Sequence, residues 1–249
     1  MFLRVACVVA VLTVSGTLAR AQSVDEIVAR NIAAKGGAEV LAATASVRTV
    51  GRGTMQGAEV AVTSSTKRPY FVRNEMEMAG QKLVQGFDGT TLWMSMGNMP
   101  PQSLPPGPQS EALKTTSQID SPLLDYKAKG TKIELGGPET ENGRKLHHLI
   151  VTPKTGPTMH YYIDTETNLE SKMVIDIEEV NPVGRDSASE GKNPQMRMEM
   201  RFSNFKQIEG RMVPFTVTQY VNGQQVGQMN YEKVEFNVPM DESIFRMPK

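Results

Sequence analysis

Strict alternation is the feature that most constrains this chain. In "QMRMEMRF", Met196, Met198, Met200 and Phe202 fall on one parity, and Arg197, Glu199 and Arg201 on the other. Successive side chains of a strand point to opposite faces, so such a segment has one dry face and one wet face. "PYFVRNEMEM" repeats the pattern, with Tyr70, Val72, Met76 and Met78 set against Arg73, Glu75 and Glu77. Strand-like runs also cover "SVRTVGRGTM", "AEVAVTSSTKR", "QKLVQGF" and "TTLWMSM", and then roughly 131–137, 144–153, 158–164, 168–179, 195–206, 211–221 and 225–237. Gln56-Gly57, Asp88-Gly89, Asn142-Gly143, Glu209-Gly210 and Asn222-Gly223 punctuate them with hairpin chemistry.

Two segments break the pattern. "SVDEIVARNIAAKGGAEVLAA" predicts a helix capped by Ser23, with Glu26 as its capping-box partner and Gly36-Gly37 as its stop. A short second turn follows over 38–43. From about 98 to 130 the chain carries a proline-rich run, "NMPPQSLPPGP", and then a stretch of helical character in two pieces split before Pro122. "NPVGRDSASEGKNP" is a polar loop. The sum is a mainly β protein with covering helices. Its antiparallel meander is long enough to curl into a barrel or a strongly bent sheet, with the helix and the insertion as plug or cover.

The dry faces are unusual in content. The chain has 16 methionines. Methionine is a flexible filler, whereas β-branched residues pack a sheet better. An ordinary core is the plain explanation. Recurrence on several strands, beside an insertion placed to act as a cover, argues instead for an apolar cavity. Its expected lining is Val60, Val62, Val72, Met76, Met78, Met94, Met96, Met159, Met173, Met196, Met198, Met200 and Phe202.

Charge and address narrow the function. Lys plus Arg and Asp plus Glu each number 27, which gives no electrostatic case for nucleic acid. The start "MFLRVACVVAVLTVSGTLARA" has Arg4, an apolar run from Val5 to Val14, and a small-x-small site at Ala19-Arg20-Ala21. It predicts a signal peptide over 1–21, cleaved after Ala21, and a single exported domain over 22–249. Cys7, the sole cysteine, precedes most of the apolar run, the wrong order for a lipid attachment site. Without it the mature chain has no thiol nucleophile and no disulfide. HExxH, GxSxG and a phosphate loop are all missing, and His147 and His148 cannot both face inward on one strand. No catalytic residue, metal or cofactor is therefore expected, and the chain is expected to be a non-enzymatic monomer.

Three stretches complete the reading. "TKRPYFVRNE" sets Lys67-Arg68-Pro69 between two strands, "LVQGFDGTTLWMSM" follows, and "FSNFKQIEGRMVPFTV" with "FNVPMDESIFRMP" closes the chain. Together they resemble the LolA-like periplasmic outer-membrane lipoprotein-sorting family. The resemblance implies a half-open antiparallel β-barrel, of the LolA/LolB kind, under a helical and proline-rich lid. It implies a periplasmic carrier that binds the acyl chains of lipoproteins or lipids and passes them toward the outer membrane. An inner-membrane releasing complex and an outer-membrane receptor would be its partners. Arg68 matches the arginine that latches the lid, and Leu104, Leu113, Ile119, Leu123 and Leu124 are the expected lid residues. The insertion around 98–130 has no clear counterpart in the enteric carrier. An envelope sensor that uses the same fold to detect lipid or mislocalised lipoprotein is the alternative, because a fold does not fix its cargo.

Overall fold

A computed structural model of the chain describes residues 22–104, 118–178 and 195–248. The expected signal peptide and Leu113 lie outside them.

The first helix, α1 (Val24–Ala34), begins on a reciprocal cap. The Glu26 amide donates to Ser23 Oγ at 3.3 Å, and the Ser23 amide donates to Glu26 Oε2 at 3.1 Å. Ile27, Val28, Asn31 and Ile32 form its buried face. At its end Gly36 takes φ +124° and sits so close to Gly210 that a Cβ would lie 2.4 Å from the Gly210 carbonyl oxygen. Only glycine permits that approach. A short helix, α2 (Ala38–Ala42), follows.

The strands form two meanders. The first is β1 (Ser46–Met55), β2 (Ala58–Lys67), β3 (Phe71–Met78), β4 (Gln81–Asp88), β5 (Leu92–Met96) and β6 (Gln102–Leu104). The second is β7 (Lys132–Leu135), β8 (Glu139–Glu141), β9 (Arg144–Thr152), β10 (Met159–Asp164), β11 (Glu170–Glu178), β12 (Gln195–Ile208), β13 (Arg211–Val221) and β14 (Gln224–Phe236). Pairing of β1 with β14, from Val47 opposite Phe236 to Met55 opposite Gly227, joins the meanders into one antiparallel sheet of 14 strands. The sheet runs from β6 at one end to β7 at the other, with β8 paired to β9, and its end strands do not close on each other. This is the half-open form expected.

At the junction of the meanders β1 presents Gly51 and Gly53 to β14. A Cβ on Gly53 would lie 1.9 Å from the Gln228 carbonyl oxygen, and one on Gly51 2.6 Å from that of Asn230. Bare backbone here lets the two strands cross closely, as a bent sheet requires.

Register shows which residues share a face, since directly opposed residues point the same way. Val62 faces Met76, Val72 faces Phe87, and Met94 faces Gln85. In the second meander Met173 faces Tyr161 and Met200, Met198 faces Ile175, and Phe202 faces Val217. Val217 in turn faces Met229, which pairs with Gly53, which pairs with Val60. The expected lining positions therefore belong to a single inner face.

That face is covered unevenly. Over the second meander, Ile27, Val28 and Ile32 of α1 and Leu123 and Leu124 of the insertion bury Leu149, Val151, Met159, Ile163 and Ile175. Over the first, Val72, Phe87 and Leu92 form a small cluster with Leu104. The outer face has its own cover, a C-terminal strap ending in a 3-10 turn (Glu242–Phe245) that buries Phe245.

Two expectations are corrected. The described part of the insertion, 118–130, forms no helix. It is a chain of turns closed by bonds such as Lys129 N to Asp125 O at 3.1 Å and Thr131 N to Tyr126 O at 2.9 Å, with Asp125 at φ +50° interrupting any regular winding. Leu104 is not a lid residue. It lies in β6, opposite Leu92, where a three-residue edge strand survives between prolines because an edge needs hydrogen bonds on one side only.

Candidate functional site

A cavity of about 230 Å³ opens beneath the 118–122 segment. Its floor is the inner face of the second meander: Met159, Tyr161, Met173, Phe202, Phe205, Met212 and Pro214. Lys35 at the end of α1 and Glu170 at the start of β11 add an ion pair of 2.6 Å to the wall. Glu170 is buried, and Lys35 is its charged partner there. The phenol of Tyr161 is held well above the ordinary tyrosine range, chiefly by burial and then by the Glu170 charge. It stays neutral and lies 3.9 Å from the Met159 sulfur.

Asn204 explains how β12 fills this cavity. It takes φ +53°, a left-handed conformation that asparagine tolerates. The alternation that brings Phe202 inward is broken there, so Phe205 lines the cavity as well. Alternation alone assigns Phe205 to the other face. Met212 and Pro214, on the facing stretch of β13, share its placement. The sequence signal for these missed residues is an asparagine inside an otherwise regular strand.

Of the lining residues expected from the sequence, Met159, Met173 and Phe202 reach this cavity. Met200 packs beside them against the core. Met196 and Met198 continue the same row and are half-buried. Val60 and Val72 are buried in the first meander. Val62, Met76 and Met94 are half-buried there, whereas Met78 and Met96 are exposed. The inner face is thus shared, but its two halves are not one cavity wall.

One side chain bridges the roof of the cavity to the end of α2, while Lys127 pairs with Asp25 of α1 at 2.7 Å farther along the same segment. Arg68, just after β2, donates through Nε to the Thr44 carbonyl at 2.6 Å. One terminal nitrogen reaches the Leu41 and Ala42 carbonyls at 3.4 and 3.3 Å and Asp120 Oδ1 at 2.5 Å. The other pairs with Asp120 Oδ2. Guanidinium can do this because it presents five donors in a fixed fork. A single arginine therefore ties the end of α2 to the segment that roofs the cavity. Ile119 lines the cavity from that roof, while Leu123 and Leu124 are buried against α1.

No family model and no curated protein sequence matches the chain. Solved structures do. A LolA superfamily protein from Nitrosomonas europaea aligns over 91% of this chain and 98% of its own, at 14% identity and a TM-score of 0.53. A domain from Vibrio parahaemolyticus, named for outer-membrane lipoprotein sorting, aligns over 88% and 94%, at 10% identity and a TM-score of 0.52. A DUF1329 family protein from Desulfovibrio piger aligns over 91% and 98%, at 12% identity and a TM-score of 0.52. At such identities the likeness is one of fold, and the chain has a LolA-like fold.

Proposed function

We propose that the chain is a periplasmic binding protein for acyl chains, exported by cleavage after Ala21, that carries lipids or lipoproteins toward the outer membrane. The observation that carries this reading is the apolar cavity under a roof tied down by Arg68. Apolar pockets with a few placed polar groups are the usual form of small-molecule sites. A volume of about 230 Å³ holds about eight groups of roughly 30 Å³ each, which is part of one long acyl chain. Fuller uptake would lift the roof, and Arg68 would set how easily it lifts.

The lining suits exchange. Burying a methylene gains about 0.8 kcal/mol against water but little against a membrane, which is equally apolar. A carrier must release what it binds, and soft methionine surfaces accept many shapes without favouring one.

The test is mass spectrometry of ligands extracted from protein purified from its own periplasm, together with a fluorescent fatty-acid probe. Varied acylated species should co-purify, and Met173→Glu should abolish probe uptake in protein that still folds. Unimpaired binding by that variant would overturn the assignment of the cavity. A single tight lipid in place of varied species would point to a sensor.

A further inference from the structure

A second cavity, of about 380 Å³, adjoins the first. Gln118, Ile119, Asp120 and Pro122 line both, so the two cavities border one short segment. Their contents differ. The second is lined by three cations, Arg68, Lys129 and Lys154, against one acid, Asp120.

Asp120 is committed to Arg68 through both carboxylate oxygens. The two lysines are left with little. Lys129 Nζ stands 4.0 Å from Asp120 and 3.4 Å from the Ser121 carbonyl, both long contacts. Lys154 makes no hydrogen bond or ion pair among the described residues. Lys154 is exposed, but its side chain has a defined neighbour. It lies across Gly130, where a Cβ would come within 2.5 Å of its Cε and 3.3 Å of its Nζ. The missing side chain at Gly130 thus leaves room for Lys154 on the wall that Lys129 also lines.

We propose that Lys129 and Lys154 bind the anionic headgroup, phosphate or carboxylate, of an amphiphile whose acyl chain occupies the adjoining apolar cavity. One ammonium with only long contacts, Lys129, and one without a partner among the described residues, Lys154, can supply charge-assisted hydrogen bonds to such an anion. The shared 118–122 segment puts headgroup and chain sites within one molecule's reach. This assignment rests on the acyl-binding reading above and adds the class of ligand.

The test compares three probes on delipidated protein at low salt: palmitoyl lysophosphatidic acid, the neutral monopalmitoylglycerol and inorganic phosphate. The parent should bind the anionic amphiphile about five- to tenfold more tightly than the neutral one, and added salt should erode that preference. In the double variant Lys129→Gln, Lys154→Gln the preference should fall to about twofold or less, with affinity for monopalmitoylglycerol unchanged. An equal preference in parent and double variant, or none in the parent, would overturn the headgroup site while leaving the acyl-chain reading intact. Failure of monopalmitoylglycerol to bind at all would overturn both. Inorganic phosphate binding as tightly as the anionic amphiphile would show a phosphate site unconnected with lipid, and would also overturn the proposal.

Discussion

Arg68 illustrates what one residue can decide. Its charge matters less than its shape, because three carbonyls and a carboxylate lie in positions that only a fork can reach together. Arg68→Lys should therefore behave more like Arg68→Leu than like the parent. Both should raise hydrogen exchange or protease cleavage at 118–122 by about tenfold or more, as expected for a loss of about 1–3 kcal/mol of local bonding. Exchange unchanged in the lysine variant would reduce Arg68 to a point charge. His148 carries a second residue-scale prediction. Its Nε2 lies 2.8 Å from His160 Nδ1, its ring stacks on Tyr162, and Glu139, Lys172 and Arg197 also act on it. Burial first, and then the His160 charge, hold its pKa below the ordinary value of about 6.5. Below that pH the unfolded chain takes up a proton that the folded chain resists. The stability contributed by neutral His148 is complete above about pH 6.5 and is lost as pH falls toward the folded pKa. His147, lowered by burial and by Arg30, adds the same sign. Thermal unfolding should show a smaller loss of Tm between pH 7 and 5 in His148→Gln than in the parent.

Among the elements, the C-terminal strap shows how a short segment without regular strand structure can be fixed. Trp93 is fully buried on the outer face of β5 and donates through its indole nitrogen to the Phe245 carbonyl at 2.7 Å. Arg73 donates to the Ile244 carbonyl at 2.8 Å, and Lys67 pairs with Glu242 at 3.0 Å. The indole lies over Gly86, where a Cβ would meet it at 2.3 Å. Phe245→Ala should cost about 3–5 kcal/mol, the usual range for emptying a buried aromatic site, and Gly86→Ala should destabilise by displacing the same ring. Denaturant titration of both variants checks this, and a loss below about 1 kcal/mol in each would show that the strap is ornamental to stability. The hairpins were legible in the sequence because each is decided locally. Asp88, for example, accepts the amides of Thr90 and Thr91 at 3.0 and 2.7 Å, all within four residues. The strap and the turns of 118–130 were not, because their conformations are set by distant partners such as Trp93, Arg68 and α1.

At the scale of the whole molecule, the sheet stays open and the cover is local. A ligand that binds the folded state alone raises its stability in proportion to log concentration, by about 2.7 kcal/mol at a hundredfold excess over Kd. Added palmitate should therefore raise the Tm of delipidated protein, and Met173→Glu should remove most of that rise. A rise of equal size in the variant would place the bound chain elsewhere on the inner face. The exposed Met78 and Met96 at the far end of that face are the natural comparison, since substituting them should leave the rise nearly intact.

The sequence by itself determined the longer strands, though not the short β6 and β8, together with their turns, the capped first helix and most of the row on the inner face, because parity and turn chemistry act over a few residues. It also singled out Arg68, through resemblance to a known family. Only the tertiary structure decided which inner-face residues border empty space. The row from Met196 to Phe202 is one pattern in the sequence, yet Phe202 reaches the cavity while Met200 packs against the core. Cover is supplied by α1 and by turns lying far away along the chain, and Asn204 re-aims β12 at a single residue. The Lys35–Glu170 pair and the Lys129–Lys154 pair of cations likewise join residues distant in sequence. A local pattern fixes the side of the sheet on which a side chain stands, whereas a cavity is what remains after every distant segment has packed.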